Sequence, residues 1–181
     1  MSSRYLSFGT FLTALLLGAK CGGDASSKRA AVSSGDLAAE AKPGPKVDAC
    51  ALLTTAEIEA VTGAKSVEPK AEAHGSAVSC NYEAANEILP VVSILLAPGM
   101  PKVASSAEMA AWRSKQGKSW GDIKIIIEPV EGLGVPAIRN EVEGAGMVTV
   151  EAGVHGMLLD VTTSSLERSK ALVANAIARL P

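Results

Sequence analysis

Two cysteines bracket the stretch in which this chain turns from tether to fold. Asp48-Ala49-Cys50-Ala51-Leu52-Leu53-Thr54-Thr55-Ala56-Glu57 stands at one end and Ser79-Cys80-Asn81-Tyr82 at the other. Thr54-x-x-Glu57 is a capping box, in which each side chain serves a backbone N–H that the first helical turn leaves unpaired. Ile58 and Val61 then fall on one helical face, and Gly63 ends the run. Val78 to Ala84 reads as a strand carrying Cys80. The cysteines are too far apart for a C-x-x-C motif and no third ligand cluster accompanies them. In an exported chain the expectation is therefore a structural Cys50–Cys80 disulfide that fastens the start of the fold to its first strand.

Export is read from the N-terminus. Residues 1–21 combine Arg4, an apolar run from Phe8 to Ala19, and Lys20-Cys21-Gly22-Gly23. The run is about a dozen residues, too short to cross roughly 30 Å of hydrocarbon as a helix, and it reads as a signal peptide. Leu17-Gly18-Ala19-Lys20-Cys21 resembles the lipobox of bacterial lipoproteins, with Cys21 as the acylated residue. Lys20 departs from that pattern, which has a small residue before the cysteine. Two alternatives stay open: cleavage after Gly23-Asp24-Ala25 to leave a soluble periplasmic or secreted protein, and a retained N-terminal anchor. Residues 22–47 are rich in Ala, Ser, Gly, Lys and Pro, with a single Leu and no Ile, Phe, Trp or Tyr. Such a composition cannot bury enough apolar surface to offset chain entropy. It is expected to be a flexible tether with a reach of roughly 25 to 30 Å.

Residues 48–181 then form the folded domain. Lys65 to Gly75 reads as a polar loop, Pro90 to Ala97 as an apolar strand closed by Pro98-Gly99, and Ser105-x-x-Glu108 as the cap of a second helix with Met109, Trp112 and Gln116 on one stripe. Ile123–Ile127, Ala137–Val142, Met147–Glu151 and His155–Thr162 read as further strands, with Gly132-Leu133-Gly134 as a turn. Ser164-x-x-Glu167 caps a final helix whose apolar face is Leu166, Leu172, Val173, Ala176, Ile177 and Leu180. The pattern predicts an α+β fold: an antiparallel sheet sandwiched with three helices. A strand pair leading into a Ser-Ser-x-Glu helix occurs twice, the hint of an internal β-β-α duplication.

The order of these signals carries a resemblance. A Cys-x-Leu-Leu-Thr start, a helix ending in Gly, a Cys-x-Tyr strand, a Gly-Leu-Gly turn, a closing strand pair and an Ala-rich helix ending in Leu-Pro resemble a domain-of-unknown-function family of bacterial, largely actinobacterial, envelope lipoproteins. The resemblance covers about Asp48 to Pro181. It implies an α+β fold similar to the PsbP-like and Mog-like sandwiches and a place in the cell envelope, at the cell membrane or outer membrane. It implies no catalytic residues. Family turns read Gly-Leu-Gly-Asp, whereas Val135 follows Gly134 here, so no role of that acidic residue carries over.

Reaction chemistry is sparse. Aromatic residues make up 3% of the chain, too few for base or sugar stacking platforms, and the formal charge of −2 provides no basic footprint. Nucleic acid is therefore excluded as a partner. Loss of a leader up to Cys21 removes Arg4 and Lys20 and no acidic residue, which deepens the negative balance. Of the two histidines, His74 falls in the polar loop, and His155 lies two residues from Met157 in an expected strand. Imidazole with thioether suits Cu(I), so His155 and Met157, with Met147 nearby, are candidate copper ligands against a reading in which the methionines fill an aromatic-poor core. There is no Gly-x-Ser-x-Gly, Glu141 and Glu143 read as a solvated strand edge, and Gly132-x-Gly134 lacks the lysine and helix of a phosphate loop. Lys102, Arg113, Lys115 and Lys118 read as a wet helix face. The expectation is a non-catalytic binding or scaffolding module without a cofactor. It would be held at a membrane by its lipid anchor and take an envelope protein or a small apolar ligand. A hydrolase-like or copper-binding protein is the alternative.

Overall fold

The computed structural model describes residues 47–116 and 123–181. The leader, Cys21, the tether up to residue 46, and Lys118 at the exit of the second helix lie outside the described residues.

A single 3-10 turn (Ala49–Ala51) opens the domain. It is followed by α1 (Thr55–Thr62), β1 (Val67–His74), β2 (Ala77–Ala84), β3 (Val92–Pro98), α2 (Ser106–Gln116), β4 (Ile125–Pro129), β5 (Ala137–Val142), β6 (Val148–Val154), β7 (Met157–Thr163) and α3 (Leu166–Ile177). The seven strands form one antiparallel sheet in the order β1-β2-β3-β7-β6-β5-β4. With helices against both faces, this is the α+β fold expected from the sequence.

Alternation along the strands divides the side chains between two faces. On one face Tyr82, Ile94, Val150, Leu159 and Val161 pack with Leu172 and Val173 of α3 and Ile58 of α1 in the main core. On the other, Ile138 and Ile127 pack with Met109 of α2, Met100 and Leu158 in a smaller cluster. Neighbouring residues Ala137 and Ile138 thus belong to different cores. The repeated β-β-α unit is not confirmed: three strands precede α2, four lie between α2 and α3, and the two helices lie on opposite faces.

The caps hold with small shifts. Thr54 and Glu57 form the full box, and Gly63 closes α1 at φ 77, the left-handed conformation glycine adopts without a Cβ penalty. Ser105 accepts from the Glu108 N–H, while Ser165 rather than Ser164 caps α3. Along α2 the stripe is shorter than expected, since Met109 is buried and Gln116 is exposed.

Contrary to the loop that its polarity predicts, Lys65 to Gly75 is largely strand β1, fully paired with β2. It looked like a loop because only Val67 is buried along it; as an edge strand its charges face solvent, and Lys70 pairs across the ladder with Glu83. His155 lies not in a strand but in the two-residue turn between β6 and β7, at φ 51 with Gly156 at φ 78. Positive φ at both central residues suits the right-handed twist of a tight hairpin.

Cys50 and Cys80 are joined, with Cα atoms 5.1 Å apart. Beside them the buried Tyr82 hydroxyl reaches the Leu53 carbonyl at 2.8 Å and the Cys50 carbonyl at 3.1 Å, and burial pushes its pKa up to about 12. Tyr82→Phe strands these carbonyls, and urea denaturation should show a loss of about 1 to 2 kcal/mol. At the far end of the chain, Arg179 ties α3 to α1 through the Leu52 carbonyl and both Glu57 oxygens.

Candidate functional site

Helix α2 packs mainly on β4 and β5, with Arg113 reaching Glu151 of β6, so among the described residues the rest of that sheet face has no helical cover. Strand alternation decides what that open face presents. Every second residue supports the main core opposite, and those between are Ser79 and Asn81 of β2, Ser93 and Leu95 of β3, Asp160 and Thr162 of β7, Thr149 and Glu151 of β6, and Asn140 of β5. These residues line a cavity of about 340 Å³ with Arg113 of α2 as a wall and Glu72 and His74 of β1 at the far lip. Its size falls at the small end of ligand cavities, which run from roughly 300 to 1,000 Å³.

The floor is a hydrogen-bonded lattice. Ser93 donates to Asn81 Oδ1 at 2.8 Å, and the Thr149 and Thr162 hydroxyls meet at 2.8 Å. At one end sits Glu151, 1% exposed, whose Oε1 takes the Asn140 amide and the Arg113 guanidinium, the latter at 3.0 Å. Asp160 is its direct cross-strand partner. Burial first, and the neighbouring Glu151 second, push the Asp160 pKa up to about 8, against the pull of Arg113. At neutral pH Asp160 therefore carries a proton.

Three buried side-chain atoms lack a hydrogen-bond partner among the described residues: Ser79 Oγ, Glu151 Oε2 and Asp160 Oδ1. All three residues line this cavity. Buried polar groups are normally satisfied, so their convergence on one space marks it as a place for a polar guest.

The residues singled out from the sequence are distributed elsewhere, with two exceptions. His155 Nδ1 lies 2.6 Å from the Pro181 carbonyl oxygen, while Met157 is buried in the main core. Met147, before β6, lies beyond the opposite end of the β6–β7 ladder, which runs from Val148↔Thr163 to Val154↔Met157. The three do not converge on a copper site. No group of three or more His, Cys, Asp or Glu among the described residues is arranged to hold a metal ion. Glu141 pairs with Arg139 and Glu143 with Lys124 at the surface.

His74 reaches the cavity lip but pairs with Glu72 at 3.3 Å, and Ser79 Oγ bonds to neither, so serine, histidine and acid share a cavity without forming a relay. Arg113, expected on a wet face, turns instead toward the sheet. The Glu151–Asp160 pair was not anticipated. Its signal was present in Leu158-Leu159-Asp160-Val161-Thr162, where alternation sets the acid on the face opposite the core. The cavity is lined by hydroxyls, amides and carboxyls together with the aliphatic side chains of Leu95 and Ile94.

No protein-family model matches the chain, and no curated protein matches it.

Proposed function

We propose that this is an exported, lipid-anchored envelope protein of the kind its motif order resembles, working as a binding module and not as a catalyst, with the open sheet face as its binding site. Cys21 is the acylated residue, and residues 22–47 hold the domain clear of the lipid headgroups. The observation that carries the binding role is the convergence of three unpartnered buried oxygens on one cavity. A binding site tolerates such unsatisfied groups because the ligand completes them, whereas a purely structural sheet face would bury them at a cost of about 1 to 3 kcal/mol each. Ser79 without a base to activate it supports the non-catalytic reading.

Expression of the full chain in a bacterium with radiolabelled palmitate tests the anchor. Label and membrane association are expected for the wild type and neither for Cys21→Ser; an unlabelled wild type in the soluble fraction overturns it. A domain beginning at Val47 is expected to fold alone and to turn over no substrate in esterase and hydrolase panels. Turnover abolished by Ser79→Ala would refute the binding role.

A further inference from the structure

The register across the open face sets one row of side chains in line. Glu72 of β1 is opposite Ser79 of β2, Ser79 opposite Leu95 of β3, Leu95 opposite Asp160 of β7, and Asp160 opposite Glu151 of β6. Acidic groups thus stand at both ends, with the Leu95 side chain between them. From the unpartnered Glu151 Oε2, Asp160 Oδ1 and Ser79 Oγ in this row, we infer that the cavity takes a short linear aliphatic diamine. One ammonium is held by Glu151 and Asp160, the methylene chain lies over Leu95, and the second ammonium meets Ser79 and Glu72. The inference rests on the reading of the open sheet face as the binding site.

Three features select this chemistry. Once Asp160 is ionised, the free atoms at the Glu151 end are acceptor oxygens, and an ammonium carries three donors and no acceptor. Ser79 and Asp160 are two strands apart, so about 10 Å separates their backbones, a span suited to two hydrogen-bonding groups joined by about four or five methylenes. A bare metal ion fits poorly, because Arg113 already occupies Glu151 Oε1. Binding a cation favours ionised Asp160, so the ligand displaces a proton near neutrality and binds more tightly as pH rises toward 8. The charged and titratable groups facing Asp160 across the cavity are Glu151 of β6, Arg113 of α2, and Glu72 and His74 of β1.

Isothermal titration calorimetry of the full chain in detergent tests this with 1,4-diaminobutane and 1,5-diaminopentane. Controls are n-butylamine, tetramethylammonium, which has charge but no N–H, and 1,4-butanediol, which has the spacer without charge. Saturable one-to-one binding of a diamine is expected, weaker for n-butylamine and undetectable for the other two. Proton release should appear as a dependence of the heat on buffer ionisation enthalpy. Glu151→Gln should weaken binding on the order of tenfold or more and Ser79→Ala by a smaller factor. Circular dichroism checks that each variant folds, and Lys115→Ala on the outer face of α2 should leave binding unchanged. Failure of both diamines to bind, or equal binding by tetramethylammonium or by Glu151→Gln, overturns the inference. Binding of 1,4-butanediol or acetate in the same cavity instead would overturn the diamine while sparing the binding module; no ligand of any of these classes would count against both.

Discussion

Replacing Cys50 and Cys80 by serine is expected to lower the free energy of unfolding by about 3 to 4 kcal/mol, following the chain-entropy cost of reopening a loop of this size. The bond spans 30 residues and encloses α1, β1 and the first half of β2. Without it the unfolded ensemble regains that loop's freedom, while the folded state keeps Tyr82 as the remaining tie between the 3-10 turn and β2. Cys80 is fully buried, so serine also sets a hydroxyl into the main core, which adds to the loss. Against a typical total of about 5 to 15 kcal/mol, the change leaves the domain marginal. Urea titration of the oxidised domain, the reduced domain and the double variant should give a large drop for the last two, the greater for the double variant. A difference below about 1 kcal/mol would mean that the loop is ordered without its bond.

The second large effect comes from Asp160 and has the opposite sign. An aspartate in the unfolded chain titrates near 3.9, whereas in the folded protein burial and Glu151 raise Asp160 to about 8. Below about pH 4 both states hold the proton and the residue is neutral to stability. Between these values the folded state keeps a proton that the unfolded state releases, so stability falls as pH rises, and above about 8 the penalty is constant. Asp160→Asn removes the titration while keeping the shape. The variant should match the wild type at pH 4 and exceed it by on the order of 3 kcal/mol at pH 8, less than the full shift implies because a partly buried site relaxes around charge. Glu57 runs the other way: the Arg179 guanidinium holds its carboxyl down to about 2, so its contribution is present above the usual glutamate range and is lost as pH falls toward 2. The two regimes separate cleanly on the pH axis. Chemical denaturation at pH 2, 4, 6 and 8 reads both, and a constant difference between Asp160→Asn and wild type from pH 4 to 8 would contradict the Asp160 assignment.

Much of the architecture was legible because its determinants are local. Thr54 and Glu57 announce α1, Gly63 ends it, and the spacing of Leu172, Val173 and Ala176 gives the buried face of α3. The disulfide followed from the expected export of the chain and from its cysteine count. Strand β1 was not legible: Glu68, Lys70 and Glu72 make a polar run that becomes strand only through its ladder with β2, a tertiary effect absent from local propensity. His155 was misassigned for a related reason, since a histidine-glycine pair at positive φ marks a hairpin turn more strongly than the flanking apolar residues mark a continuous strand. The cavity lay further out of reach. Asp160 and Glu151 come from different strands and meet only through the β6–β7 register, and Arg113 joins them because α2 packs on the face opposite α3. Alternation set each acid on the polar face, but nothing in the sequence said that this face would be deep enough to bury one of them.

That burial is the premise of the binding site, and the titration of Asp160 measures it directly. In carboxyl ¹³C NMR of the folded domain, the Asp160 side chain should titrate with a midpoint of about 8. A midpoint near 4, the value of a solvated aspartate, would mean that the open sheet face is wet surface and not a site built to receive a ligand.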